Sequence, residues 1–218
     1  MDNSKFGLYC GLSLMFLVAI VVSEMFYRQP LFNKSLTVEP NLQSRASSGE
    51  INFWQFYTDF ALASCLAVPI VIAFLMPEQR TRCFYYVSCF TLIMVVMNVT
   101  KLSYADPRPF WVGQNVIAYG CDSSFGNPSG HTESSTGVAL YLWLDYIATY
   151  PEHAGWKKAL LLLLAIGFGV SVAFSRLILG VHSIDQVVYG FLIGVWVSFT
   201  MQYCVRPLLD AHIDSLTR

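Results

Sequence analysis

Three short clusters between Lys101 and Gln186 hold the residue types that handle phosphate. The first places Lys101 seven residues before Arg108, which stands between Pro107 and Pro109. The second is Pro128, Ser129, Gly130 and His131, and the third runs from Ser175 and Arg176 through Gly180 to His182. A planar guanidinium pairs two phosphate oxygens at once and an ammonium acts as a point charge, so Lys101, Arg108 and Arg176 form a candidate cradle for an anion. One cation beside an apolar segment can simply snorkel to the headgroups; three, each beside a histidine or a serine-glycine turn, point to a site. Prolines on both sides hold the backbone of Arg108. Ser129 stands where it can cap a helix, the N–H groups of a helix start bind anions, and Gly130 permits close approach of a ligand. His131 titrates near neutrality and can hand a proton to a leaving oxygen. His182 can attack phosphorus provided an acceptor holds its other ring nitrogen. Asp185 and Gln186, three and four residues on, project to the same side of a helix beginning there, and either can orient the ring.

These clusters stand at the ends of apolar runs. Hydrophobic residues make up 55% of the chain and charged residues 12%, about half the charge of an ordinary soluble domain. The net charge of −1 argues against a nucleic-acid partner. A spanning helix needs roughly 20 mostly apolar residues, and runs at 7–26, 53–76, 83–102, 131–150, 159–179 and 184–205 supply them. The reading is an all-α integral membrane bundle of about six transmembrane helices, one domain over 1–218 with a motif core at 101–186. The first run is read as a retained helix rather than a cleaved signal. Residues 27–52, with Pro30 and Pro40, read as a polar loop that could cover the site, and Asn33-Lys34-Ser35 in it matches a glycosylation triplet. Residues 77–82 read as a turn, 103–129 as a long loop and 206–218 as a charged tail. Cys10, Cys65, Cys83, Cys89 and Cys204 read as small buried hydrophobes and Cys121 as loop-borne, with no disulfide framework. Asp59 and Asp145 are read as helix-end groups, and Asp106, Asp122 and Glu133 as loop or cap groups.

An antiparallel bundle of six crossings gathers the three clusters at one membrane face. Lys5, Arg80, Arg82, Lys157, Lys158, Arg206 and Arg218 fall on the opposite face, with His153 and His212, while Arg28, Lys34 and Arg45 share the site's face. The positive-inside rule then makes the termini cytoplasmic and the site lumenal or extracytoplasmic; it does not choose between the endoplasmic reticulum and the plasma membrane.

The clusters resemble the three signature motifs of the type 2 phosphatidic acid phosphatase superfamily, which includes lipid phosphate phosphatases and glucose-6-phosphatases and shares its pattern with vanadium haloperoxidases. Lys101 with Arg108-Pro109, the Pro128–His131 tetrapeptide, and Ser175-Arg176 with His182 match them in order. The resemblance implies a phosphatase acting on a phosphomonoester, a lipid phosphate such as phosphatidate or a polyprenyl diphosphate, with a soluble sugar phosphate as the alternative. It implies His182 as the nucleophile of a phosphohistidine intermediate and His131 as the general acid. Lys101, Arg108, Ser129, Gly130 and Arg176 would bind the phosphate, and no metal or cofactor is implied. The family's usual aspartate four residues after the nucleophile is Gln186 here. Glucose-6-phosphatases are similar in carrying glutamine there and in an aromatic and a tryptophan at the positions of Phe110 and Trp111.

Overall fold

A computed structural model describes residues 3–120 and 123–216; Cys121, Asp122 and Arg218 lie outside them. The chain is all-α. Its elements are α1 (Asn3–Arg45), α2 (Ser48–Leu75), a 3-10 turn (Pro77–Gln79), α3 (Arg80–Tyr104), α4 (Pro109–Val112), α5 (Gly130–Thr149), α6 (Gly155–Ile178), α7 (Ile184–Thr200), a π turn (Met201–Val205) and α8 (Arg206–Leu216). Among the described residues, five helical stretches are long and apolar enough to cross a membrane: Ser4–Arg45, Ser48–Leu75, Pro77–Val112, Gly155–Ile178 and Ile184–Ile213. The protein is a multi-pass membrane protein.

The stretch expected as a sixth crossing, 131–150, is helix α5, and it differs in character. Thr132, Glu133, Ser134, Ser135 and Thr136 are all buried in its first turns. This helix is packed by α7, α6, α3 and α2, so its polar groups face protein rather than lipid, the setting in which a membrane helix tolerates them. Small residues bring α7 against it. A Cβ on Gly190 would come within 2.6 Å of the Ser129 carbonyl oxygen, and one on Gly194 within 2.7 Å of that of Glu133; only glycine permits that approach.

The expected loop at 27–52 is helix instead. Helix α1 has 43 residues, about 65 Å at 1.5 Å per residue and twice a hydrocarbon core of roughly 30 Å. Pro30 and Pro40 lie inside it and each removes one helical hydrogen bond, while one stripe of the extension is buried. Ser35, Glu39 and Gln43, four residues apart, are all buried. Ser35 Oγ accepts the Ile184 N–H at 2.7 Å, the first N–H of α7. Gln43 Nε2 donates to the carbonyls of Ile117 (2.7 Å) and Ile178 (3.2 Å), while its Oε1 accepts the Ile117 N–H at 3.1 Å. Gly180 closes this corner with φ +65°, and a Cβ there would strike both the Ile117 carbonyl and Gln43. The Asn33 triplet is thus mid-helix with its serine buried. The connection to α2 shrinks to Ala46 and Ser47, where Ser47 and Glu50 form a capping box.

The far end of the bundle is held by Asp145 of α5. It accepts from Arg82 Nε (3.0 Å), Arg206 Nη1 (2.7 Å) and Tyr86 Oη (2.6 Å), tying α3, α5 and α8 together. Arg82 and Arg206 are therefore internal partners, and the segment read as a charged tail is helical through Leu216. The five described cysteines are free, four of them buried and Cys10 half-buried.

Candidate active site

The first cluster is placed by the end of α3 and the loop that follows. Lys101 sits in the last turn of α3, and Ala105 ends the helix in the left-handed region. The Lys101 ammonium donates to Ser124 Oγ and to the Phe125 carbonyl, both at 2.9 Å. Arg108, fully buried, spreads its guanidinium over three groups. Nε donates to the Ser124 carbonyl at 2.7 Å, Nη2 to Ser124 Oγ at 3.1 Å, and Nη1 to the Val181 carbonyl at 2.8 Å. Nη1 also lies 3.2 Å from His182 Nε2. Ser124 thus joins two cations of the expected cradle. Nothing but a hydroxyl in a glycine-rich loop signalled it in the sequence.

The second cluster begins α5. Ser129 holds the N-cap position but caps with its backbone alone, its carbonyl accepting the Glu133 N–H at 2.9 Å. Its hydroxyl pairs with Thr132 Oγ1 at 3.0 Å, and its N–H donates to the Gln186 carbonyl at 3.0 Å. The expected side-chain cap is therefore replaced by an anchor to α7. Gly130 packs on Met97 of α3, where a Cβ would meet the sulfur. His131 follows, half-exposed at the rim, with Nε2 at 3.9 Å from Asp59 Oδ1.

The third cluster ends α6 and begins α7. Arg176 is buried, its Nη1 lying 3.5 Å from Thr58 Oγ1. His182 is buried in the turn between the two helices. Gln186 fixes the ring. Its Nε2 donates to the Pro107 carbonyl at 2.8 Å, so Oε1 is left facing the Ser183 N–H at 3.3 Å and His182 Nδ1 at 3.2 Å. With Nδ1 donating to that oxygen, Nε2 carries the lone pair, and it is Nε2 that Arg108 approaches. Gly126 makes room for this amide, since a Cβ there would fall 2.4 Å from Gln186 Nε2. Asp185 is equally buried, but neither of its oxygens reaches the ring; it lies near Glu39 and Tyr27 of α1.

Electrostatically, burial first and then Arg108, Arg176, Lys101 and His131 hold the His182 imidazole far below its ordinary pKa. The ring is neutral at physiological pH, with a lone pair on Nε2. The structure thus brings Lys101, Arg108, Arg176, His131, His182 and Gln186 to one end of the bundle and sends Asp185 toward α1. Two neighbours on α2, Thr58 and Asp59, join Arg176 and His131. Asp59 had a signal in the sequence: it is the lone charge between Glu50 and Glu78.

Comparison with known proteins bears on family and fold. The model of the PAP2 superfamily matches residues 82–209. An undecaprenyl-diphosphatase of Sulfolobus acidocaldarius is 32% identical over 132 residues, an alignment covering 59% of this chain and 59% of that protein; the chain thus spans less than two thirds of that relative's length. The crystal structure of a transmembrane PAP2 type phosphatidylglycerolphosphate phosphatase from Bacillus subtilis superposes with a TM-score of 0.69, covering 91% of this chain and 94% of that one at 19% identity. At that identity the likeness is one of fold.

Proposed function

This chain belongs to the PAP2 superfamily, and from that membership and the site geometry we propose that it is a membrane phosphatase that hydrolyses a lipid phosphate through a phosphohistidine on His182. The observation that carries this reading is His182 held between Gln186 on Nδ1 and Arg108 at Nε2. In the first step Nε2 attacks phosphorus, the P–O ester bond breaks, and the leaving oxygen takes the proton of the His131 imidazolium. In the second step His131 accepts a proton from water as that water attacks phosphohistidine, releasing inorganic phosphate and restoring both rings. Lys101, Arg108, Arg176, the Ser129 hydroxyl and the Gly130 N–H hold the phosphoryl oxygens, as a transfer governed by positioning and charge requires. The mechanism asks for no metal. Helix α5 serves as a sixth crossing shielded by the others, with the termini cytoplasmic and the site lumenal or extracytoplasmic.

The exposed edge of the site favours a lipid. Asp59, which meets His131, is followed directly on α2 by Phe60 and preceded one turn earlier by Phe56; these two residues are 62% and 69% exposed and give the helix that carries Asp59 a surface suited to alkyl chains. The name of the archaeal relative supports a lipid-linked phosphate as well. A soluble sugar phosphate is the second reading, favoured by Gln186 in the orienting position. A panel of phosphatidate, a sphingoid phosphate, a polyprenyl diphosphate and glucose 6-phosphate, assayed on detergent-purified protein with chelator present, separates the two. Lipid substrates are expected to exceed glucose 6-phosphate on the order of tenfold or more in kcat/KM, since binding energy from the remote chain is available only to them. Equal or faster turnover of glucose 6-phosphate would overturn the lipid assignment.

The orienting role is tested by a pair of variants. Gln186→Ala is expected to lower kcat on the order of 10²-fold, within the range of general acid–base effects, because Nδ1 loses its acceptor. Asp185→Asn is expected to stay within a few-fold of wild type. The reverse pattern in the two rates would assign the ring to Asp185.

A further inference from the structure

Helix α2 lies outside the residues that the superfamily model matches, 82–209, yet two adjacent side chains on it reach the site. Thr58 is fully buried and its Oγ1 lies 3.5 Å from Arg176 Nη1. Asp59 places Oδ1 3.9 Å from His131 Nε2. That separation is too long for a direct hydrogen bond but within ion-pair range, where an opposite charge favours the protonated imidazole. A carboxylate on an apolar membrane helix is costly, and a functional role is its default explanation. Here it is the lone charge in the stretch from Ile51 to Pro77, on a helix whose exposed Phe56 and Phe60 rings stack on each other.

The acid step creates a need for it. Lys101 of α3, Arg108 of the following loop, Arg176 of α6 and His131 all lie within electrostatic range of the His182 ring and so share its pocket; Glu133, two residues further along α5, is fully buried and lies within electrostatic range of Lys101. The cations that hold phosphate also oppose a proton on His131, and the general acid must carry that proton before the leaving oxygen departs. A carboxylate at the rim offsets the opposition without entering the phosphate cradle, where it would repel the substrate. We propose that Asp59 is a positioning residue for the acid step, holding His131 as the imidazolium, and that with Thr58 it extends the active site onto α2. This rests on the reading of His131 as general acid.

The test is the pH profile and leaving-group dependence of Asp59→Asn and Asp59→Glu in the full-length protein in detergent, with His182→Ala as reference. A general acid is needed for an alkyl ester and much less for a p-nitrophenyl ester. For Asp59→Asn, kcat/KM on the alkyl ester is expected to fall roughly tenfold, and the loss to shrink on the p-nitrophenyl ester. The alkaline limb, which marks loss of the proton from His131, should move to lower pH by on the order of half to one unit. Asp59→Glu, which keeps the charge, should restore most of the alkyl-ester rate. An unmoved limb with equal losses on both esters would reduce Asp59 to a structural role, and an unchanged alkyl-ester rate would remove it from the reaction. Either result beside an inactive His182→Ala overturns this inference alone; an active His182→Ala overturns the phosphohistidine reading itself.

Discussion

Replacing His182 with alanine is expected to abolish phosphate release, with kcat falling by at least about 10⁴-fold, the order seen when a covalent nucleophile is removed from a preorganised site. The expectation follows from where the ring is held. Its Nδ1 is occupied by Gln186 Oε1 at 3.2 Å, and its Nε2 points at Arg108. Alanine removes the attacking atom and leaves the cradle of Lys101, Arg108 and Arg176 in place, so substrate still binds and only the chemistry is lost. The same environment sets the pH dependence. Burial and the surrounding cations hold the imidazole far below its ordinary value. A group depressed in this way stays unprotonated as pH falls through about 6.5, so the acid limb of kcat/KM should appear well to the acid side of that value. Phosphate release measured from pH 4 to 9 in a non-chelating buffer series checks this. A limb at or above 6.5 would mean that His182 is not the group that must be neutral.

Arg108→Lys is expected to cost on the order of 10²- to 10³-fold in kcat although it keeps the charge, a loss comparable to removing one transition-state donor. The guanidinium reaches Ser124, Val181 and His182 from one planar fork. An ammonium offers no such fork and hydrates more strongly, so it cannot hold the 124 loop, the 181 turn and a phosphoryl oxygen together. If the fork acts in the transition state, kcat and kcat/KM fall together; if it only binds ground-state phosphate, KM rises and kcat stands. Steady-state kinetics on one lipid phosphate distinguish these, with thermal unfolding of the detergent complex as a check on folding. A Lys variant with wild-type kcat would take Arg108 out of the transition state.

Much of the site was legible in the sequence because charge in an apolar chain is conspicuous. Lys101, His131, Arg176 and His182 stand where apolar runs stop, and antiparallel packing alternates those stops between two faces. What escaped was polarity with a different purpose. Ser35, Glu39 and Gln43 look like loop residues, and Pro30 and Pro40 reinforce that look, yet their four-residue spacing is a helical stripe buried against the 117 and 184 backbone. Spacing of this kind outranks proline as a signal when the partner surface is itself polar. Helix α5 shows the converse: its buried hydroxyls and Glu133 lower its apolar character because protein rather than lipid surrounds it. The choice between Asp185 and Gln186 lay beyond residue spacing, since positions three and four from His182 share a face. It turns on the Pro107 carbonyl, which takes the Gln186 amide N–H and leaves only the oxygen for the ring. Asp59 was read as a helix end because its partner, 72 residues away, became visible only in the fold.

The central claim, a covalent phosphoryl intermediate on His182, is tested most directly by trapping it. Purified protein is mixed with a lipid phosphate labelled in its phosphoryl group, quenched in alkali within a turnover, digested, and the labelled peptide sequenced. The label is expected on His182, stable to alkali and released by acid as a phosphoramidate is, and absent from His182→Ala. Label on any other residue, or steady phosphate release from His182→Ala, would contradict the account.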